Sequence, residues 1–383
     1  MSDDITIEDN NNADDILNIK SKLSNRDRSD LIKSKKNNTI QNYRSTYISN
    51  DEFFNKYHFD TTMLYKLIHS YKIKNDDEKN NENRNHYIGL HTNEKFFRTQ
   101  FYLTNRFENT TYFTNKGELF FKLKKYYNKY YRSFIPDMFI LNVNSKYEHG
   151  NIYIARIIQS WAGEGVFNIA NEKEFNETKK ELNKIPGNIV VSQYINNPLL
   201  FNGKKCHLRS YFMITIINNV FSTYLLDIGT IITASLPYKK GDYTNKKIHD
   251  THYFSTGREI LYPENFYDNT SIKTEEEWCK IYNKMSNALN FVSRLAIMSI
   301  ELYPNAKNTF EIYGTDFLIT DDHEVYLIEI NNQHTSYKLV SSDKFYNEYF
   351  NWINDVVFKP AFSPDEQIPV NRSNTPVFTC KYK

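Results

Sequence analysis

The stretch "FEIYGTDFLITDDHEVYLIEINNQ", residues 310–333, carries the clearest structural pattern in the chain. Two apolar runs flank the polar residues 320–324, and this pattern predicts a β-hairpin with its turn in the polar cluster. A turn that is symmetric about this cluster places Thr320 opposite Val325. The same register then sets the partner of every other residue in the two strands.

Three polar side chains interrupt the apolar strands of this hairpin. The symmetric register places Asp316 opposite Glu329, and Asn331 shares the face of Glu329 because side chains two apart on a strand point the same way. Two unpaired carboxylates at one patch repel each other and resist desolvation. A hard cation such as Mg²⁺, which prefers oxygen ligands, would resolve the conflict. The alternative at this point is a half-exposed hairpin whose polar face lies in water.

The bulk properties indicate a chain with a large core and no membrane span. It has 383 residues, 40% of them hydrophobic, and a net charge of +2, so its overall charge does not favour nucleic acid. The N-terminus is acidic and lacks a signal-peptide pattern, and the apolar region 211–236 is interrupted by polar residues. Three widely spaced cysteines favour a reducing compartment. We expect a cytoplasmic protein, and one in the host cytoplasm if the source is a virus with an AT-rich genome.

Helix start signals recur along the chain. Three pairs have the spacing of a capping box: Asn115 with Glu118, Asn171 with Glu174, and Thr274 with Glu277. The first pair predicts a helix that ends at Pro136. A last helix is predicted over residues 343–358.

The order of predicted elements indicates an α+β fold with mainly antiparallel sheets. We predict a disordered polar tail at residues 1–50 and a small N-terminal α/β domain at 51–135. A central lobe at 136–195 and a C-terminal lobe at 196–360 follow. Residues 361–383 form a C-terminal tail.

From Asn115 to Phe358 the chain resembles the tubulin tyrosine ligase-like family, a branch of the ATP-grasp ligases. The resemblance is carried by "YIARIIQSWAGEGVFNI", "VVSQYINNPLLFNGKKCHLRSYFMI", "HDTHY" and the hairpin quoted above, in the family's order and spacing. It implies two α/β lobes that hold ATP between their sheets, with Mg²⁺ bridging the phosphates. A substrate carboxylate would attack the γ-phosphate, and an amine would then displace the phosphate of the acyl-phosphate to form an amide.

The resemblance also implies a set of site residues. Asp316, Glu329 and Asn331 match the family's metal ligands, and Asp316 and Asn331 also face the nucleotide. In the remaining nucleotide contacts implied by the resemblance, Gly163 and Gly165 belong to a loop that covers the phosphates, and Arg156 is a cation on the strand before it. The linker Ser192 to Ile195, which includes Gln193 and Tyr194, would contact the adenine. Lys205 and Arg209 would lie on a cationic strand near the phosphates. Lys205 and Arg209 are the catalytic candidates.

Arg156 replaces a lysine of the family pattern and Ser192-Gln193 replaces a Gln-Lys pair, and three further departures lie mainly where the amino acid and the acceptor should bind. His207 stands where the family has an aspartate, Ile232 where it has an arginine, and His252 where it has an asparagine. For Arg209, a structural carboxylate such as Asp227 is an alternative partner to a phosphate.

The departures at His207, Ile232 and His252 motivate a second hypothesis, a nucleotide-binding pseudoenzyme that recognises tubulin or another acidic partner. A peptide ligase that acts on a small molecule is a third.

The segment "KLKKYYNKYYR" places five cations, Lys122, Lys124, Lys125, Lys129 and Arg132, beside four tyrosines. Such a surface could attract an acidic protein tail or nucleic acid. An amphipathic helix that buries its tyrosines and leaves its lysines in water is an equal alternative.

The leading hypothesis is an ATP- and Mg²⁺-dependent ligase that adds a free amino acid to a protein. Tubulin or another acidic protein is the expected acceptor. Glutamate is preferred because glutamylation is common in the family, with tyrosine and glycine left open. We expect a monomer that associates with the cytoskeleton, with neither a nucleic-acid nor a membrane partner.

Overall fold

The long apolar runs of the sequence pair into an antiparallel sheet that forms most of the fold. The computed structural model describes residues 87–89, 101–104, 107–128, 130–158, 166–181, 189–251, 257–302, 306–331 and 343–382. The strands in these ranges are β1 (Tyr87–Gly89), β2 (Phe101–Thr104), β3 (Met138–Ile140), β4 (Tyr153–Ile157), β5 (Val166–Ile169), β6 (Ile189–Gln193), β7 (Leu200–Phe201), β8 (Lys204–Ile217), β9 (Val220–Thr233), β10 (Gly257–Leu261), β11 (Ala306–Ile319), β12 (Val325–Asn331) and β13 (Phe378–Lys381). The α-helices are α1 (Thr111–Thr114), α2 (Lys116–Tyr126), α3 (Glu172–Glu181), α4 (Lys246–His249), α5 (Pro263–Asn269), α6 (Glu275–Ser299), α7 (Asp343–Ile353) and α8 (Lys359–Phe362).

The described strands form two sheets. The larger has nine strands in the order β1-β2-β11-β8-β9-β10, with β12 beside β11, β13 beside β9 and β7 beside β8. Its pairs are antiparallel except β1 with β2 and β2 with β11. The smaller sheet has the order β3-β6-β4-β5 and is antiparallel throughout. The α+β prediction with mainly antiparallel sheets is therefore confirmed, and the architecture is consistent with an ATP-grasp fold.

Helices cover both faces of the larger sheet. On β9, Thr223 forms a hydrogen bond of 2.8 Å with Ser293 of α6, whereas the next residue, Tyr224, packs against the cluster that contains α7. Because neighbouring residues of a strand point to opposite faces, α6 and α7 lie on opposite sides of the sheet. Burial on both faces explains why β8 and β9 read as long, nearly continuous apolar runs.

The hairpin of β11 and β12 has the predicted pair but a different turn. Asp316 lies opposite Glu329 as expected, whereas Val325 pairs with Ile319 rather than with Thr320. The pairing shifts by one residue between Asp316 and Phe317, where β12 carries an extra residue. The turn is shifted by one residue from the symmetric position, and this shift alone would move the side chains of β12 to the opposite face of the sheet. The extra residue at the bulge shifts the strand once more, so Glu329 returns to the face of Asp316.

Local capping signals set the starts of three helices. Asn115 accepts hydrogen bonds from the backbone N–H groups of Gly117 and Glu118, Asn171 accepts one from the N–H of Glu174, and a reciprocal capping box joins Thr274 to Glu277. The predicted end of the first helix at Pro136 is wrong, since α2 ends at Tyr126. There the chain turns so that aromatic rings of residues 127–134 pack around Phe291 of α6. Tertiary packing thus overrides the helical periodicity of that segment.

The predicted domain boundaries at residues 50, 135, 195 and 360 stay predictions. Residues 1–50 lie outside the described residues, as do most of residues 51–106. In the part of the chain that the structure describes, no helix has the length and apolar character needed to cross a membrane.

Candidate functional site

A cleft lies where the smaller sheet meets one end of the larger sheet. Strands of both sheets contribute to its walls, together with the start of α2 and the end of α4. The side chains around it are Lys116, Pro136, Ile154, Arg156, Val166, Asn168, Ser192, Gln193, Ile195, Lys205, His207, His249, Asp250, Thr251, Asp316, Leu318, Ile328 and Glu329.

The predicted oxygen donors meet at this cleft. Asp316 and Glu329 face each other across β11 and β12, and the side-chain amide of Asn331 donates a hydrogen bond of 2.9 Å to Glu329 Oε1. Two carboxylates and an amide on one face form the donor chemistry that Mg²⁺ prefers. Within the described ranges, no group of three or more His, Cys, Asp and Glu side chains is arranged to hold a metal ion. Metal binding by the carboxylate–amide set therefore stays a prediction.

Asp316 is held by an arginine on the neighbouring strand. Arg209 lies directly opposite it on β8, and the guanidinium donates to both carboxylate oxygens, with 2.7 Å between Nη2 and Oδ2. Both side chains are buried. Burial by itself lowers the pKa of Arg209, but the attraction and hydrogen bonds of Asp316 outweigh it, so that this pKa is raised. Gly314 makes room for the guanidinium, since a Cβ there would lie 2.9 Å from Arg209 Cδ.

This geometry excludes the alternative partner considered for Arg209. Asp227 instead accepts hydrogen bonds from Arg372 Nε at 2.6 Å and from Trp278 Nε1 at 3.0 Å. The anion that stabilises Arg209 in the apolar strand is Asp316. Sequence reasoning missed this because the two residues are 107 positions apart.

Glu329 also has a cationic partner that the sequence analysis missed. Lys116 Nζ lies 2.7 Å from Glu329 Oε2. Lys116 is the first residue of α2, where the helix dipole disfavours a positive charge. Gly117 follows it and packs tightly against Ile158, since a Cβ at this glycine would lie 2.8 Å from Ile158 Cδ1. The sequence signal that could have identified Lys116 is its position directly after the predicted N-cap Asn115, where a positive charge is unfavourable unless an anion offsets it.

Two further cations face the cleft. Arg156 donates a hydrogen bond of 3.1 Å to Ser192 Oγ, and desolvation lowers its pKa despite the attraction of Glu329 and other carboxylates. Lys205 is 3% exposed, and its ammonium group lies 4.3 Å from the centre of the Tyr194 ring. Burial and the charge of Arg156 lower the pKa of Lys205 to about 7. Cations that carry a desolvation cost in a cleft are suited to receive an anion.

Histidines connect the walls of the cleft. His249 Nδ1 and the Tyr194 hydroxyl are 2.6 Å apart, and burial followed by the charge of Lys205 lowers the pKa of His249 to about 4. The imidazole is therefore neutral at pH 7. His207 Nδ1 lies 2.6 Å from Thr251 Oγ1, while its Nε2 is 3.9 Å from Asp316 Oδ1. These contacts support structural roles for both histidines.

The structure brings most of the predicted site residues together. Arg156, Gln193, Ile195, Lys205, Asp316 and Glu329 line the cleft, Tyr194 lies directly behind Lys205, Arg209 holds Asp316, and Asn331 contacts Glu329. Ile232 is buried and lies opposite His207 on β9. Gly163, Gly165 and His252 lie outside the described residues.

Comparison with known proteins identifies the family. Residues 41–367 match the model of the tubulin-tyrosine ligase family. This chain belongs to the tubulin-tyrosine ligase family. The match begins well before Asn115, where the resemblance seen in the sequence began, so tubulin-tyrosine ligase character extends into the N-terminal region.

Individual relatives within the tubulin-tyrosine ligase family differ in their named activities. A probable tubulin–tyrosine ligase of Schizosaccharomyces pombe is 30% identical over 151 residues, which cover 38% of this chain and 36% of that protein. A probable alpha-tubulin polyglutamylase of Tetrahymena thermophila is 28% identical over 150 residues, 37% of this chain and 36% of that protein. A tubulin glycylase of Drosophila melanogaster is 27% identical over 158 residues, 37% of this chain and 20% of that protein. The matched segments thus span less than two thirds of each relative's length.

Proposed function

We propose that this protein is an ATP- and Mg²⁺-dependent ligase that joins a free amino acid to a protein through an amide bond. The observation that carries the proposal is the cleft in which Asp316 and Glu329 face each other beside Lys205 and Arg156. Carboxylates suit a divalent cation, and desolvated cations suit phosphate oxygens. Membership of the tubulin-tyrosine ligase family supports the same chemistry.

Each group has a defined task in this proposal. Asp316, Glu329 and Asn331 would hold Mg²⁺, whose role is to neutralise phosphate charge. Arg209 fixes the orientation of Asp316 through two hydrogen bonds, so the carboxylate enters the site preorganised.

The remaining cleft residues suit the nucleotide itself. Lys205 and Arg156 would bind phosphate oxygens. Gly163 and Gly165, which precede β5 in the sequence, would cover these phosphates. The segment Gln193 to Ile195 would contact the adenine ring.

The proposed reaction has two transfers. An acceptor carboxylate attacks the γ-phosphorus of ATP, the bond to the β-γ bridging oxygen breaks, and ADP leaves. The amine of the incoming amino acid then displaces phosphate from the acyl-phosphate and loses a proton to form the amide. The cationic side chains around the phosphates stabilise the charge that moves in both steps, so a protein nucleophile is not required.

Tubulin is the leading acceptor because the relatives are named as tubulin-modifying enzymes. Glutamate is the preferred amino acid, supported by the polyglutamylase among these relatives. Action on tubulin would associate the protein with the cytoplasmic cytoskeleton.

A reconstituted assay tests the proposal. The protein is incubated with Mg²⁺, ATP, tubulin and one isotopically labelled amino acid at a time: glutamate, glycine or tyrosine. We expect ADP release and a mass increase on tubulin with one amino acid, and neither with Glu329→Gln. Ligation that persists at full rate in Glu329→Gln, or without Mg²⁺, would refute the proposed site.

A nucleotide-binding pseudoenzyme is the second candidate. It is supported by the two cation–carboxylate pairs, Arg209 with Asp316 and Lys116 with Glu329, which already neutralise both predicted metal ligands. Isothermal titration with Mg·ATP, followed by measurement of ADP formation with tubulin and all twenty amino acids, separates the candidates. Nucleotide binding without ADP formation or a mass change on tubulin favours the pseudoenzyme.

A further inference from the structure

A third carboxylate lies in the cleft besides Asp316 and Glu329. Asp250 directly follows α4, and its backbone N–H donates a hydrogen bond of 2.9 Å to the carbonyl oxygen of Lys246. Its side chain lines the cleft, although the residue is only 8% exposed. A carboxylate with so little access to water is costly unless positive charge or hydrogen-bond donors surround it. The proposed binding of Mg²⁺ and phosphate does not use this residue.

Hydrogen bonds on either side fix the backbone around Asp250. His249 Nδ1 lies 2.6 Å from the hydroxyl of Tyr194, which follows β6 of the smaller sheet. Thr251 Oγ1 lies 2.6 Å from Nδ1 of His207 on β8 of the larger sheet. The three consecutive residues therefore bridge the two walls of the cleft, and the middle one is held in place before any substrate arrives.

The charge of Asp250 acts on the two cations assigned to the phosphates. Burial and the charge of Arg156 lower the pKa of Lys205 to about 7, and Asp250 opposes this shift. Burial likewise lowers the pKa of Arg156, and Glu329 and Asp250 oppose it. Bound phosphate would attract the same two cations and bring further negative charge close to Asp250. A cleft filled with nucleotide therefore favours an additional cation beside Asp250.

The second substrate of the proposed ligase can supply that cation. A free amino acid carries its amino group mainly as an ammonium ion near pH 7, and this nitrogen must reach the acyl-phosphate. An ammonium ion donates hydrogen bonds that suit a carboxylate. A second Mg²⁺ is less suitable, because it requires several oxygen ligands and because Lys205 and Arg156 repel a divalent cation about twice as strongly as a monovalent one.

We propose that Asp250 binds the ammonium group of the incoming amino acid and holds its nitrogen beside the phosphates. This inference rests on the proposed function, because it names the residue that receives the second substrate of the ligase. Nucleotide should bind first, since its phosphates neutralise the two cations that otherwise repel the ammonium ion. Asp250 takes no part in bond formation. It selects substrates with a cationic amine and orients them for the second transfer.

Amino-acid binding to the nucleotide-loaded protein tests the role of Asp250 without requiring turnover. Radiolabelled glutamate, the preferred amino acid, is dialysed to equilibrium against protein saturated with Mg²⁺ and a non-hydrolysable ATP analogue. The test variant is Asp250→Asn, which keeps the shape of the side chain and removes its charge. The control is Asp242→Asn, which removes the same charge eight residues earlier. Asp242 accepts a hydrogen bond of 3.1 Å from Asn245 Nδ2 and is not one of the residues around the cleft.

A second ligand separates ammonium recognition from general effects. Glutarate is glutamate without its amino group, and competition with labelled glutamate measures its affinity. We expect Asp250→Asn to weaken glutamate binding about tenfold and not to weaken glutarate binding, because only glutamate loses a charge-assisted hydrogen bond. Asp242→Asn should change neither affinity by more than about threefold. Asp250→Ser provides the same comparison should the asparagine variant unfold.

Three outcomes would overturn the inference. The first is a nucleotide-loaded wild-type protein that binds glutamate no better than glutarate. The second is equal weakening of both ligands in Asp250→Asn, which would show that the carboxylate acts only through the structure of the cleft. The third is an unchanged preference for glutamate in Asp250→Asn together with weaker Mg²⁺ binding, which would assign Asp250 to a metal ion.

The ligation assay separates failure of this inference from failure of the proposed function. Asp250→Asn should raise the KM for the amino acid about tenfold and leave the affinity for Mg·ATP within about threefold of the wild type. Ligation by this variant with the wild-type amino-acid KM would refute the inference and retain the ligase. A preference for glutamate over glutarate that depends on Asp250, in a protein without ligase activity, would refute the proposed function and retain the amine site.

Discussion

Arg209 and Asp316 lie directly opposite each other on β8 and β11, and the guanidinium donates to both carboxylate oxygens. Asp316 is only 1% exposed, so it serves as a structural counterion as well as a predicted metal ligand. Loss of activity in an Asp316 variant could therefore reflect loss of the fold. Measurements of stability and of metal affinity on separate variants distinguish the two roles.

The first prediction concerns the stability contribution of this pair. Asp316→Ala leaves a buried guanidinium without its counterion, and we expect a loss of about 3–5 kcal/mol in the free energy of unfolding. The double variant Arg209→Met with Asp316→Leu should regain most of that stability, because no isolated charge remains. Urea unfolding monitored by circular dichroism measures both. An Asp316→Ala variant as stable as the wild type would show that the ion pair is not formed.

The second prediction concerns competition between Lys116 and a divalent cation for Glu329. Because Lys116 Nζ lies 2.7 Å from Glu329 Oε2, an incoming cation must displace the ammonium group. We expect Lys116→Met to tighten apparent Mg²⁺ affinity in the presence of ATP by roughly three- to tenfold, equivalent to about 1 kcal/mol for the ion pair that the cation no longer has to break.

Titration of Mg²⁺ at fixed ATP, read by nucleotide fluorescence, measures this affinity. Lys122→Met is the matched control on the same helix and should leave the affinity unchanged. A weaker Mg²⁺ affinity in Lys116→Met would instead assign Lys116 to nucleotide binding.

The third prediction concerns proton uptake by Lys205. Its pKa of about 7 leaves the side chain mostly neutral at pH 8, whereas nearby phosphate favours the charged form and raises the pKa. Nucleotide binding at pH 8 should therefore take up a proton, and the affinity should decrease as the pH rises above 7. Calorimetry in two buffers of different ionisation enthalpy measures the uptake. Lys205→Met should abolish it, and uptake that persists in this variant would exclude Lys205 as its source.

The fourth prediction concerns acid sensitivity through His249. Its folded-state pKa of about 4 lies below the ordinary value of 6.5, so the unfolded chain binds the proton first as the pH falls. Stability contributed by the neutral histidine is complete above pH 6.5 and is lost progressively down to about pH 4. Urea midpoints at pH 7.5 and 5.0 should differ more for the wild type than for His249→Asn, which keeps a polar atom near Tyr194. Equal pH dependence in the two proteins would contradict this assignment.

Much of the fold and part of the site follow from the sequence. The hairpin, its Asp316–Glu329 pair and the starts of three helices were predictable because they depend on neighbouring residues: strand alternation, turn residues and side chains that cap the next turn. The bulge was not predictable. The same alternation of apolar and polar residues fits a hairpin with or without it, and only the pairing of β11 with β12 shows where the extra residue lies.

The position of the hairpin and the carboxylates that share its face could be read from the sequence alone, because both follow from the alternation of side chains within a segment. Only the tertiary structure decided which cations meet those carboxylates. Arg209 reaches Asp316 across a strand pair, and Lys116 reaches Glu329 from the start of a helix. These partners are far apart along the chain, and their contact depends on how the sheet and helices pack together.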